Sequence, residues 1–147
     1  MDSIDVQIIN ILQKNSRTSI KQISEKVMLS APSVKERINK MIASGLIREF
    51  TTVLEPKMLN KNLTAFMFLT LKRPEENHKF LDFIQKESEI LACHYLTGDF
   101  DYMLQIVTSS TQRLEELLSL IKRTQEVAKT RTVIALSTIK EKHSVIP

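Results

Sequence analysis

Ser30-Ala31-Pro32-Ser33-Val34-Lys35-Glu36-Arg37-Ile38-Asn39-Lys40 is the stretch of this 147-residue chain best suited to chemistry with a partner. Taken as a helix at roughly 100° per residue, it turns Pro32, Ser33, Glu36, Asn39 and Lys40 to one side and sets Lys35 and Arg37 on the flanks. Serine, glutamate and asparagine can meet base edges, and lysine and arginine can reach phosphates. Such a mixed face suits the major groove of duplex DNA, with Ser30, Pro32, Ser33, Lys35, Glu36, Arg37 and Lys40 as contact residues. The solvated face of a helical bundle has the same spacing, so the surrounding elements must decide.

A second cluster, Gly98-Asp99-Phe100-Asp101-Tyr102, sets two carboxylates beside a glycine. Such a loop can offer an anion to an ammonium and free N–H groups to a carboxylate. Glycine and aspartate are also ordinary hairpin residues, and composition favours the plain hairpin. His94 is the one histidine inside a predicted strand, where a lone histidine is more often a structural hydrogen-bonder than a ligand. Cys93, on the alternate face, reads as a small buried hydrophobe. No Ser/His/Asp order or carboxylate pair marks a catalytic centre. One cysteine excludes an intramolecular disulfide and a multi-cysteine zinc site, and two glycines exclude a Gly-rich phosphate loop. Neither enzyme activity, cofactor nor metal is expected.

The formal net charge is +4, and its whole excess lies in residues 1–63, which hold 10 Lys/Arg and 6 Asp/Glu against 11 and 11 in residues 64–147. A basic small domain joined to a neutral one suggests that the first meets a polyanion. Asp2 and Asp5 stand where a signal peptide would carry bases, and no apolar run approaches the roughly 20 residues of a membrane span. A cytoplasmic location without membrane contact is expected.

Three helices must position the first cluster. Ile4, Ile8, Ile11 and Leu12 share one helical face, with Asp2 as cap and Asp5 three residues on. Ser19 caps a short second helix buried through Ile20, Ile23 and Val27, and the small Ser24 lies where two helices would approach closely. Met28-Leu29 turns the chain. Ser30 then caps a third helix with Pro32 in its first turn and Val34, Ile38, Met41 and Ile42 buried. Gly45 suits the left-handed position that ends it. Two short helices joined by a tight turn are the plan of a helix-turn-helix, with the third helix as reader.

Downstream, Leu46–Leu54 is strand-like, Glu55-Pro56 breaks it, and a linker follows. Strands are expected at Leu63–Lys72, Ile90–Thr97, Tyr102–Val107 and about Thr130–Ile139. One helix opens at Pro74-Glu75-Glu76 and carries Phe80, Leu81, Phe83 and Ile84. Another is capped by Ser109 with Gln112 in a capping box and carries Leu114, Leu117, Leu118 and Ile121. The order βαββαβ is the ferredoxin-like plan, with both helices on one face of the sheet. Phe66 and Phe68 would face water on the other side, so a second subunit is expected to cover them in a dimer. The fold class is therefore α+β. Residues 1–50 form a winged-helix-like helix-turn-helix domain and 51–62 a strand and linker. Residues 63–140 form a ferredoxin-like dimerisation domain, and 141–147 a tail.

Ser30-x-x-x-Val34-x-x-Arg37-Ile38 followed by Gly45-Leu46-Ile47 resembles the helix-turn-helix motif of the leucine-responsive/asparagine regulator (Lrp/AsnC) family. Ile4-Asp5-x-x-Ile8-Ile9-x-x-Leu12 and Ser16-Arg17-Thr18-Ser19 are similar to its first helix and loop. Gly98-Asp99-Phe100-Asp101-Tyr102 resembles its Gly-x-x-Asp-Tyr signature, and Thr130-Arg131-Thr132 the start of its last strand. The resemblance spans about residues 2–142. Ser24 stands where alanine is usual, and an arginine-rich N-terminal extension is not expected. The resemblance implies a nucleoid-associated transcription regulator that dimerises through the ferredoxin-like domain and assembles further, often to an octamer. It also implies an amino-acid effector at Gly98, Asp99, Phe100, Asp101 and Tyr102, completed near Thr132 by an adjoining subunit. The alternatives are an effector-independent protein that compacts DNA, and a tetrapyrrole decarboxylase of similar plan. The basic first domain and the shortage of His and Arg on the predicted sheet speak against the decarboxylase.

Overall fold

Asp2 opens the first helix as the sequence requires. In the computed structural model, which describes residues 1–147 other than 74, 76, 125, 126, 143, 144 and 146, its carboxylate accepts the N–H groups of Ile4 and Asp5, and Asp5 returns a bond to the Asp2 N–H. Helix α1 runs Ser3–Lys14, α2 Ile20–Val27 and α3 Ala31–Ala43. Ser19 and Gln22 form a capping box on α2, and Ser30 caps α3 with proline in its first turn. Each cap satisfies N–H groups that have no partner inside the helix. Met28 takes the left-handed conformation (φ 56°) between α2 and α3, and Gly45 (φ 76°) ends α3.

The chain divides into two compact units, Met1–Val53 with Lys140–Pro147, and Leu54–Ile139. The first has a core of Ile8, Ile9, Leu12, Ile23, Val27, Val34, Ile38 and Met41. Ser24 is buried there, its hydroxyl donating to the Lys21 carbonyl at 2.8 Å. Ile42, expected in this core, is 45% exposed. It lies roughly 80° around the helix from Val34, at the margin of the apolar stripe. Residues 140–147 group with the first unit, where Gln13 Nε2 donates to the Val145 carbonyl at 2.6 Å.

The second unit holds β1 (Leu63–Leu71), α4 (His78–Lys86), β2 (Ile90–Tyr95), β3 (Tyr102–Thr108), α5 (Thr111–Thr124) and β4 (Val127–Ala135). The antiparallel sheet has the order β2-β3-β1-β4. Strict alternation along β1 sends Ala65, Met67, Leu69 and Leu71 into a core with Phe80 and Ile84 of α4 and Leu114, Leu117 and Ile121 of α5. Phe66 and Phe68 point the other way and are only half-buried.

Several expected boundaries move. Among the described residues, 46–54 form no strand; an extended segment needs a ladder partner, and none of the described residues supplies one. Pro56–Leu59 forms a 3-10 turn in the expected linker, capped by Glu55. Helix α4 starts at His78 after Asn77; of the expected opening Pro74-Glu75-Glu76, residues 74 and 76 lie outside the described residues. Ser110, not Ser109, caps α5 through the Arg113 N–H at 3.1 Å. That places Arg113 where Gln112 was expected, and the reciprocal half of a capping box is lost. β4 begins at Val127 and ends at Ala135, where its pairing with β1 runs out at Thr64.

Candidate functional site

Helix α3 presents the first cluster. Pro32, Lys35, Glu36, Asn39 and Lys40 are exposed and Ser33 is half-buried. The Ser30 Oγ accepts the Ser33 N–H at 3.3 Å and lies 2.8 Å from the Ser33 Oγ. Ser30 is thus occupied in starting the helix. Glu36 and Lys40 form an exposed i,i+4 ion pair at 2.7 Å, and the hydrogen bond from Lys40 holds the Glu36 carboxyl below its usual range.

Arg37 turns toward its own unit. Its Nη1 lies 2.7 Å from Asp2 Oδ2 and 2.7 Å from Asp5 Oδ1, so the side chain reaches back to the first turn of α1. Cap hydrogen bonds, followed by those from Arg37, hold both carboxyls below their usual range, and the two carboxylates raise the guanidinium. The sequence marks Asp2 and Asp5 as cap residues; their second partner is 32 or more positions away and leaves no local signal.

The second cluster is a tight hairpin between β2 and β3. The Leu96 N–H donates to the Asp101 carbonyl at 2.7 Å, and the Asp101 N–H donates to the Leu69 carbonyl at 3.0 Å. Gly98 sits at φ +122°, and a Cβ there would meet nothing within 4 Å. The glycine is therefore required by the backbone and not by crowding. Asp99 is exposed. Asp101 Oδ2 accepts the Leu71 N–H at 3.0 Å and so secures the end of β1, leaving its other oxygen for an incoming donor. Phe100 stacks obliquely on Phe68 at 5.8 Å, with Lys129 Nζ 4.5 Å from its ring centre. Tyr102 is buried, 5.0 Å from Phe80 and 5.2 Å from Tyr95, and its hydroxyl accepts from Asn77 at 2.9 Å. Tyr102 therefore supports the turn from beneath instead of lining its surface.

Thr132 lies opposite Met67, whereas Tyr102 lies opposite Leu69, so β1 separates Thr132 from the hairpin within one chain. His94 is exposed opposite Met103 on the face away from the helices, and Cys93 is half-buried opposite Leu104, where burial pushes its thiol up.

Sequence reasoning missed a third feature. Glu89, in the loop before β2, is only 7% exposed, yet meets Lys61 Nζ at 2.7 Å, Arg113 Nε at 2.6 Å and Thr108 Oγ1 at 2.9 Å. Burial alone would raise its carboxyl, but the hydrogen bonds from Lys61, Thr108 and Arg113 outweigh that and bring it down to about 2. Four residues from four separate segments meet here, and only the folded chain reveals them. Among the described residues no group of three or more His, Cys, Asp or Glu could hold a metal ion. Among the described residues no helix is long and apolar enough to cross a membrane.

Comparison with known proteins follows the same division. The winged helix-turn-helix DNA-binding family matches residues 1–48, and the Lrp/AsnC ligand binding domain matches residues 64–145. The chain belongs to the Lrp/AsnC family. It is 33% identical to the leucine-responsive regulatory protein of Escherichia coli K12 over 149 residues, covering 99% of this chain and 91% of that one. It is also 33% identical to the HTH-type transcriptional regulator FL11 of Pyrococcus abyssi over 141 residues, covering 96% and 93%. Its fold matches the crystal structure of a Neisseria meningitidis transcriptional regulator in complex with L-methionine, with a TM-score of 0.90, 27% identity and coverage of 99% and 96%. As an Lrp/AsnC protein it is a DNA-binding transcriptional regulator, and the relatives' names favour that reading over the decarboxylase plan.

Proposed function

We propose that this Lrp/AsnC protein reads duplex DNA through α3 as a two-fold dimer and that an amino acid binds at its Gly98–Tyr102 turn. The observation that carries the DNA reading is the face of α3 on which the exposed Glu36 and Asn39 stand between Lys35 and Lys40, with the half-buried Ser33 at its margin. Acceptors and amide groups on that face meet base edges, and the two lysines supply phosphate affinity. Pro32 sits in the first turn of the helix, and Ser30 acts through its cap. Phe66 and Phe68, half-buried on the bare face of the sheet, give the dimer its apolar contact. A two-fold arrangement would present two reading helices to half-sites about one helical turn apart.

The effector reading rests on the Gly98 hairpin and on the Neisseria relative's complex with L-methionine. Asp99 and the second oxygen of Asp101 would meet an ammonium, and backbone N–H groups beside Gly98 a carboxylate. Phe100 would bound the pocket, Tyr102 would hold it in place, and Thr132 of an adjoining subunit would complete it. Further assembly to an octamer on the cytoplasmic nucleoid belongs to the same reading. The test is in-vitro selection from a randomised duplex pool, then affinity for the selected duplex against poly(dI–dC) across a salt series. Enrichment of a two-fold related sequence, bound about 1,000-fold or more tighter than poly(dI–dC), supports the reading. Equal retention of all duplexes would favour the effector-independent compacting protein.

A further inference from the structure

Arg37 sits on the reading helix and is basic, which makes it an obvious phosphate ligand; its geometry says otherwise. Each of the two carboxylates it meets divides its oxygens. Asp2 gives Oδ1 to the Ile4 and Asp5 N–H groups and Oδ2 to Arg37. Asp5 gives Oδ2 to the Asp2 N–H and Oδ1 to Arg37. The capping box of α1 and the ion pair to α3 are thus one polar unit, gathered on a single guanidinium nitrogen. The side chains of Arg37 and Asp5 are 30% and 17% exposed, so the link is partly withdrawn from water.

We propose that Arg37, Asp2 and Asp5 form a latch that fixes the rotation of α3 about its own axis, making Arg37 a positioning residue for base reading and not a phosphate contact. The inference rests on the reading of α3 as the DNA-contacting helix. Helix α3 packs on the first unit through Val34, Ile38 and Met41, a narrow stripe of non-directional apolar contact. Apolar packing tolerates a small roll; a charged hydrogen bond to two fixed carboxylates does not. Arg37 lies one residue from Glu36 and one helical turn from Ser33, so a roll at Arg37 moves both away from the base edges they would meet.

The latch and a phosphate contact predict opposite results when the acids are changed. Asparagine caps a helix as well as aspartate does and keeps one acceptor oxygen, so Asp2→Asn and Asp5→Asn can retain the capping bonds while removing the charge and the second oxygen that accepts from Arg37. The experiment uses the full chain, with thermal unfolding of each variant to confirm that it is folded at the assay temperature. Binding is measured to a duplex selected by the wild-type protein and to poly(dI–dC), each over a salt series. The latch predicts that Arg37→Gln and the Asp2→Asn/Asp5→Asn pair both lower the selected-to-poly(dI–dC) affinity ratio about tenfold, the loss of roughly one base-pair readout. It predicts salt slopes unchanged, and a triple variant within about twofold of the worse of the two, because both act through one link.

A phosphate contact predicts that Arg37→Gln weakens both duplexes equally and lowers the salt slope by about one. It also predicts that the asparagine pair, having shed negative charge and released Arg37, binds both more tightly. Either result overturns the latch. A wild-type protein that selects no sequence would overturn sequence-specific reading instead. The latch would then be judged on poly(dI–dC), where a salt slope changed by Arg37→Gln still refutes it.

Discussion

Phe68 of β1 and Phe100 of the Gly98 hairpin meet ring to ring at 5.8 Å. Phe68 lies on the face of the sheet that no helix of its own unit covers, so the candidate dimer face and the candidate effector turn are one continuous surface. A ligand that moves Phe100 would also move a residue of the candidate dimer face, and binding and assembly would be thermodynamically linked through this pair.

Phe68→Asp places a charge in that contact. It should convert dimer to monomer at micromolar concentration in sedimentation velocity, and weaken binding to a two-fold related duplex, while far-UV circular dichroism stays native. An unchanged dimer would move the subunit contact away from this face.

Asp101→Ala should act twice. It leaves the partly buried Leu71 N–H without its acceptor, which costs about 1–3 kcal/mol of stability and is readable by denaturant unfolding. It should also abolish calorimetric heat from whichever of the twenty amino acids the wild-type protein binds. Ligand binding at full strength in the variant would place the effector elsewhere.

Glu89 gives a pH dependence with a definite sign. Its carboxyl is brought from an ordinary 4.5 down to about 2 in the folded chain. Its contribution is therefore complete above about pH 4.5 and is lost as pH falls toward 2, on the order of 3 kcal/mol in all. Glu89→Gln should remove that segment of the acid-unfolding profile and lower stability at pH 7, because Lys61 and Arg113 lose their shared anion. An acid profile of Glu89→Gln that superimposes on the wild type would refute this role.

Met28 is 87% exposed and holds φ at 56°. Met28→Gly should relieve the strain of a side chain in the left-handed region and raise stability by about 1 kcal/mol, seen as a higher melting temperature. A lower melting temperature would show that Met28 contributes packing instead.

The elements with strong local signals were legible in the sequence. Asp2, Ser19 and Ser30 each precede an apolar stripe and cap a helix where expected, and alternation along 63–71 separates Met67 and Leu69 from Phe66 and Phe68. What was not legible depends on distant partners. Leu46–Leu54 has strand composition, but composition does not supply a neighbouring strand. Arg37 has the type and place of a DNA contact, and only the approach of α1 to α3 turns it toward Asp2 and Asp5. Glu89 looks like any loop glutamate until Lys61, Thr108 and Arg113 converge on it. At the hairpin the residue types were legible, but their division of labour was not. Asp101 gives one oxygen to Leu71 and Tyr102 is buried, which leaves Asp99, Phe100 and the second oxygen of Asp101 for a ligand.

The central claim is that α3 reads base sequence through Ser33 and Glu36. The most direct measurement is the affinity of Glu36→Ala and Ser33→Ala for the duplex selected by the wild-type protein, for every single-base-pair variant of it, and for poly(dI–dC). The account predicts that each substitution relaxes discrimination by about 1–3 kcal/mol at one or two particular base pairs, with poly(dI–dC) affinity retained. A loss spread evenly over every duplex, with discrimination at each base pair intact, would contradict it.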